Sequence, residues 1–402
     1  MHKGAKTFKS LMQQGIIEIG DGYRAKLEEL GGDGPIFLRA GSLTTQGFSW
    51  DGNDRFRDDL AVKVKSKMAR RGDVVITTKG NSTGRTGYVD TDAPEFVYSP
   101  HLSYWRSLRW DIIRPGYLRY WAKCDEFLNQ LRAMAHGTDM APYLSLADQA
   151  RLNISIPEIN TQLGIESVLG ALDDKIALNR RLAHVSHDLS ASMFDDFVQN
   201  DLEATVMRLG DVAGVNLRKV RPKEGGFLRY IDISSVSVDN IEWPERSRWE
   251  SAPGRARRGV SPGDTIWSTV RPNRKSRALI LDDDPEIVVS TGFAVLTPQK
   301  VGPAFLYEAS RREEFVRYLE SVAEGSAYPA VRADRFLGAP VSVLSPVPME
   351  KFERVAMTLQ RRVHVAHSES RTLAQLRDTL MPGLLSGAIR VRDAEKVVEE
   401  AI

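Results

Sequence analysis

Apolar residues recur along the chain with two different periods. Ile165, Val168, Leu169, Leu172 and Ile176 step by 3, 1, 3 and 4, and Phe352, Val355, Ala356, Leu359 and Val363 repeat those steps 187 residues later. This spacing lays each set along one face of an α-helix, giving it a stripe to bury. It predicts a helix from just after Pro157 to about Phe197, roughly 40 residues or about 60 Å. A second helix is predicted from Pro348 to about Leu380, stopped by the proline and glycine of "MPGLLSG". Two long helices with matching stripes are expected to pack as an antiparallel coiled coil.

Outside the helices the period shortens. The runs "GIIEIG", "PIFLRAG", "DVVITT" and "TIWSTV" are β-branched or aromatic and are punctuated by Gly, Asp and Asn. They predict strands, with weaker helical patches such as "LRYWAKCDEFLNQLRAMA" among them.

The strand-rich parts are duplicated as the helices are, and a repeat of this size decides the architecture. At a shift of 193, Phe37 aligns with Tyr230, Leu38 with Ile231, Leu43 with Val236, Phe48 with Ile241, Trp50 with Trp243 and Arg55 with Arg248. At a shift of 191, "RRGDVVITTKG" aligns with "SPGDTIWSTVR", pairing Gly72 with Gly263, Asp73 with Asp264, Val75 with Ile266 and Thr78 with Thr269. Ser99 and Ser290 hold that register, and further on Pro142 pairs with Pro329. The chain reads as an α+β protein of two tandem, similar, mixed β/α domains of about 150 residues, each followed by a long helix. Such a chain carries an internal pseudo-twofold, and two equivalent faces follow by the logic of isologous contacts.

Composition narrows the classes. A chain of 402 residues that is 42% hydrophobic can bury a core in each domain. Its one cysteine, Cys124, excludes an internal disulfide and a cysteine-rich metal site and favours a reducing compartment. No apolar run approaches the roughly 18 residues of a membrane span, and no signal-peptide core is visible, so a cytoplasmic protein without membrane association is expected. The net charge of +2 makes no case for nucleic acid. Its distribution says more. Lys63, Lys65, Lys67, Arg70 and Arg71 cluster in the first half, and Arg255, Arg257, Arg258, Arg271, Arg274, Lys275 and Arg277 in the second.

Candidate chemistry centres on one glycine-rich stretch, "TTKGNSTGRTG", at 77–87. A phosphate-gripping loop has four residues between its glycines and then Lys-Ser/Thr. Here three residues separate Gly80 from Gly84, Arg85 takes the lysine position, and the aligned "STVRPNRKSRA" keeps the basic character while dropping every glycine. The shared feature is a basic loop between two strands. Lys79, Asn81, Ser82 and Arg85 in the first copy, and Arg271, Asn273, Arg274 and Lys275 in the second, are the candidate DNA contacts. Arg and Lys neutralise phosphate or pair with guanine, and Asn pairs with adenine.

Other features read as bland. The matched Trp50 and Trp243 are expected in the domain cores. "HVSH" (His184, His187) and "HVAH" (His364, His367) fall short of a metal ligand set and read as partner-facing or solvated helix surface. The adjacent Asp173 and Asp174 of "LDDK" read as a solvated or partner-binding edge, since neighbours on a helix point about 100° apart. No catalytic residue, cofactor site or metal site is identified, and the Asn/Asp-Pro-Pro-aromatic motif of adenine methyltransferases is absent. A self-contained DNA-modifying or DNA-cleaving enzyme and a coiled-coil scaffold without DNA are the competing readings.

With "GDVVITTKGNSTGRTGYV" and "GDTIWSTVRPNRKSRALI" in the domains, and "LGALDDKIALNRRL" and "SRTLAQLRDTLMPGLLSGAIRV" in the helical regions, the chain resembles the specificity (S) subunit of type I restriction-modification systems. The resemblance implies target-recognition domains at 1–157 and 201–347, with helical regions at 158–200 and 348–402. It implies a non-catalytic subunit that reads an asymmetric, bipartite site on double-stranded DNA, one half per domain. Two modification (methyltransferase) subunits would dock on the helices, and motor-nuclease restriction subunits would complete the assembly. S-adenosylmethionine, ATP and Mg would be bound by those partners, and none by this chain.

Overall fold

The computed structural model describes residues 3–44, 47–135, 143–325 and 328–402; Pro142 of the repeat lies outside them. The chain divides into two compact units, Met1–Ala177 with Arg371–Ile402, and Leu178–Ser370. Both boundaries fall inside long helices.

Each unit is organised around a four-stranded antiparallel sheet of the same order. In the first, strand Ile17–Asp21 neighbours Leu102–Ser107, then Val74–Thr77, then Thr86–Tyr88. In the second, Ala213–Val215 neighbours Phe293–Pro298, then Thr265–Ser268, then Arg277–Leu279. The repeat is therefore one of topology as well as pattern. Val74 to Thr77 and Thr265 to Ser268 are buried without alternation because both faces of each sheet are covered. Val74, Ile76 and Trp105 face a helical layer, and Val75, Leu102 and Tyr104 face a smaller β layer. Trp267, Ala294 and Leu296 repeat the first arrangement, and Ile266, Phe293 and Val295 the second.

The β layer also recurs. Its parallel pair is Ile36–Leu38 with Phe96–Tyr98 in the first unit, and Phe227–Ile231 with Ile287–Ser290 in the second. A tiny hairpin follows each: Leu43 opposes Phe48 in one, and Val236 opposes Ile241 in the other, at the shift of 193. Trp50 and Trp243 pack partly buried against these cores, as expected, with Trp50 5.1 Å from Phe48 and 5.2 Å from Phe96 between ring centroids.

The long helices run Ile159–Asn200 and Pro346–Ser386 and pack antiparallel. In the first unit Asp173 meets Arg377; in the second, Asn179 meets Glu369 and Phe194 meets Phe352. Two expectations need correction. The second helix continues through Pro382 to Ser386, because Leu380, Met381, Leu384 and Leu385 are buried in the first unit's core and this outweighs the local cost of the proline. The break comes at Gly387, whose φ of +76° is the left-handed geometry of a helix C-terminus, and a further helix, Val391–Glu399, follows. Val355 in turn is 41% exposed, whereas its equivalent Val168 is buried. No helix among the described residues is long and apolar enough to cross a membrane.

Candidate nucleic-acid interface

Both sequence-predicted loops close the same hairpin, between the third and fourth strands of the central sheet. Val74 opposes Tyr88 and Ile76 opposes Thr86 in the first unit; Thr265 opposes Leu279 and Trp267 opposes Arg277 in the second. Each hairpin is anchored at its root by a glycine and a buried carboxylate. Gly72 and Gly263 have φ of +88° and +97°, and a side chain at either would press on Pro115 or Pro303 at 3.1 Å.

Asp73 accepts hydrogen bonds from Arg106 Nε and Nη2 and Tyr98 Oη, all at 2.7 Å, and from Arg70 N at 2.8 Å. Asp264 accepts from Ser261 N and Thr297 Oγ1, both at 2.8 Å, and from Arg218 Nη2. Thr297 stands where Arg106 stands in the first copy and brings no charge, so Arg218, from another segment, supplies the cation. A buried carboxylate needs that pairing.

The first loop is held by its own backbone. The amides of Thr83, Gly84 and Arg85 donate to the carbonyls of Gly80 (3.0 Å), Thr77 (2.8 Å) and Ser82 (3.0 Å), and Thr77 Oγ1 donates to Ser82 O. A nucleotide cradle needs such amides directed at phosphate and a helix to follow. Here they point inward and a strand follows. Gly80 and Gly84 serve turn geometry, with φ of +87° and +90°; a Cβ at Gly84 would also lie 2.2 Å from Leu131.

The four candidates of this loop occupy two settings. Lys79 and Asn81 are exposed, while Ser82 and Arg85 are half-buried. The Arg85 guanidinium donates through Nη1 to the carbonyl of Leu43 at 2.7 Å, bracing the hairpin against the β layer.

The second loop is tighter and strained. Residues 272–274 form one 3-10 turn, and the flanking Arg271 and Lys275 adopt left-handed backbone at φ of +51° and +54°. Such conformations cost a non-glycine residue about 1–2 kcal/mol each, and they are held here by packing. The Arg271 amide donates to Pro329 O at 2.7 Å and its guanidinium lies 4.5 Å from the centroid of the Tyr328 ring. Lys275 Nζ lies 3.0 Å from Glu313. Asn273 and Arg274 are left exposed at the tip.

Two other groups prove to be interior. Asp173 is not a solvated edge: it accepts from Arg119 Nη2 (2.6 Å), Tyr120 Oη (2.9 Å) and Arg377 Nη1 (2.6 Å). Burial pushes its carboxyl up, but Arg119 and then Arg377 outweigh this and hold it below the ordinary carboxylate range. Asp174 is exposed, as expected. His187 is likewise not on a solvated helix face. It is 8% exposed, 6.0 Å from the Tyr307 ring, and burial lowers its imidazole to about 4. His184 is exposed. Among the described residues no group of three or more His, Cys, Asp or Glu side chains is placed to hold a metal. Cys124 is buried.

The two units thus define an internally duplicated α+β protein, whose equivalent domains each end in one of two long antiparallel helices and present non-identical basic hairpin tips. This is the fold of the type I restriction-modification S subunit: the S subunit from M. genitalium matches with a TM-score of 0.55 over 95% of each chain at 14% identity. In sequence, the chain is 26% identical over 156 residues to the HindI type I restriction enzyme specificity subunit of Haemophilus influenzae. That alignment covers 38% of this chain and 34% of the relative, so it spans about a third of the relative's length. The resemblance read from the sequence is borne out in both comparisons. No family model matches the sequence.

Proposed function

We propose that this chain is the DNA-specificity subunit of a type I restriction-modification complex, with one domain reading each half of an asymmetric, bipartite site. The recognition domains would be 1–157 and 201–347, and the helical regions 158–200 and 348–402 would dock two methyltransferase subunits. The observation that carries this reading is the pair of equivalent hairpins with different tips. Equivalent placement lets each domain address DNA in the same way, and different residues at the tip make the two half-sites differ. Lys79 and Asn81 on one side, and Asn273 and Arg274 on the other, are the exposed groups suited to contact; Ser82, Arg85, Arg271 and Lys275 shape and charge the loops that carry them.

In this reading the chain performs no chemistry. Methyl transfer with S-adenosylmethionine, and ATP- and Mg-dependent translocation and cleavage, belong to the modification and motor-nuclease subunits. The test is methylome sequencing of the native host with and without the gene. Loss of one bipartite methylated-adenine motif is the expected result, and an unchanged methylome would refute the proposal.

A further inference from the structure

In the second unit a run of basic residues lies against another, and almost none of their charge is spent within the protein. Residues 218–223 are Arg-Lys-Val-Arg-Pro-Lys. They lie antiparallel to strand Ala256–Gly259, with Lys219 bridged to Arg258, Val220 N donating to Arg257 O at 2.9 Å, and Gly259 N donating to Arg218 O at 3.1 Å. Val220 packs towards Leu228 and Trp249. Because an extended chain alternates sides, Lys219 and Arg221 on either flank are turned outward, and they and Lys223 are exposed.

Arg218 fixes this ribbon in place through Asp264. Among the described residues, Lys219, Arg221, Lys223, Arg255, Arg257 and Arg258 form no ion pair. Arg258 Nε is buried without a hydrogen-bond partner, and burial alone lowers that guanidinium, with no carboxylate to offset it.

The first unit contrasts with this. Its basic run spends two lysines internally: Lys63 lies 2.5 Å from Glu29 and Lys67 lies 2.6 Å from Asp21. Lys65, Arg70 and Arg71 of that run form no ion pair among the described residues, but the strand beside it, Phe96–Tyr98, carries no basic residue, so the first domain has no pair of basic segments lying side by side.

We infer that the ribbon of residues 218–223 and 255–258 binds the phosphate backbone of duplex DNA without regard to sequence, so that the second domain anchors the complex electrostatically. The inference rests on the DNA-specificity reading above and adds to it a division of labour between the two domains. Each phosphate neutralised contributes about 0.9 to the slope of log affinity against log salt.

The test is anisotropy titration of the full chain with a random-sequence duplex across a KCl series. The triple replacement Lys219→Ala, Arg221→Ala, Lys223→Ala is expected to weaken binding roughly tenfold or more and to reduce the slope by about 2–3. The pair Lys63→Ala and Lys67→Ala is expected to leave the slope unchanged, and lysine-to-arginine and arginine-to-lysine exchanges in the ribbon are expected to restore it. Circular dichroism melting checks that each variant folds. Wild-type binding with an unaltered slope in the triple variant would overturn the anchor while leaving the specificity reading standing. No duplex binding by the wild type at low salt would remove both.

Discussion

Asp173 Oδ1 on the first long helix and Arg377 Nη1 on the second lie 2.6 Å apart, and Asp173 Oδ2 reaches Arg119 of the neighbouring short helix at the same distance. One carboxylate therefore ties both long helices to the first domain. Arg119 and Arg377 are each about one-fifth exposed. Removing that carboxylate would leave the largely buried Arg119 with no ion pair among the described residues, and Arg377 with only the exposed Asp378.

Asp173→Ala is expected to destabilise the protein by about 3–5 kcal/mol, the range for breaking a buried pair from one side. Urea unfolding measures it, and a loss below about 1 kcal/mol would mean that solvent already screens the cluster. The carboxyl is held low in the folded state, so its contribution is present above the ordinary value of about 4 and is lost as pH falls through the lower folded value. The wild type should therefore lose more stability than Asp173→Asn on acidification below pH ~4.

His187 gives a pH dependence in a different window. Its imidazole is lowered from 6.5 to about 4 by burial, so the unfolded chain takes up a proton first. Stability should be complete above pH 6.5 and decline as pH falls towards 4. His187→Phe should flatten that decline between pH 7 and 5, measured as the shift in urea midpoint. An equally steep decline in the variant would assign it to other groups.

The two loop glycines should respond unequally. Gly80→Ala meets open space and pays only for its left-handed backbone, about 1 kcal/mol. Gly84→Ala must also turn the flexible end of the Leu131 side chain aside, so a loss of about 1–2 kcal/mol, above that of Gly80→Ala, is expected. Melting temperatures rank the two variants, and equal values would show that Leu131 moves aside freely.

At the second tip, Arg274 and Arg271 should separate affinity from stability. Arg274→Ala, at an exposed position, should reduce the salt slope of DNA binding by about 1 without shifting the melting temperature. Arg271→Gly removes the stacked guanidinium but relaxes a strained φ, so it should weaken binding while stability stays level or rises. A large stability loss in Arg274→Ala would place that side chain in the fold.

Much of the architecture was legible because it is written in periods. The 3, 1, 3, 4 spacing located both long helices, and the shifts of 193 and 191 aligned strands that prove to occupy equivalent places in the two sheets. The Gly80–Gly84 interval, compared with its glycine-free counterpart, was enough to separate a basic hairpin from a phosphate loop. Asp173, His187, Pro382 and Val355 depart from what residue type and neighbours in sequence suggest, and for one reason. Their environments are set by Arg119, Tyr307, the Leu380–Leu385 core and the packing of the second unit, all supplied from elsewhere in the chain or the fold.

The duplication, the helical stripes and the position of the basic tips follow from residue order alone, because hydrophobic period and turn chemistry act over a few residues. Which charges are spent and which are free depends on contacts made only in the folded chain. Arg85 braces Leu43, Lys63 and Lys67 neutralise acids of their own domain, and Arg218 replaces a cation its domain lacks at Asp264. The reason is that a charge takes its value from what lies within a few ångströms of it, and residues dozens of positions apart meet there only when the chain folds.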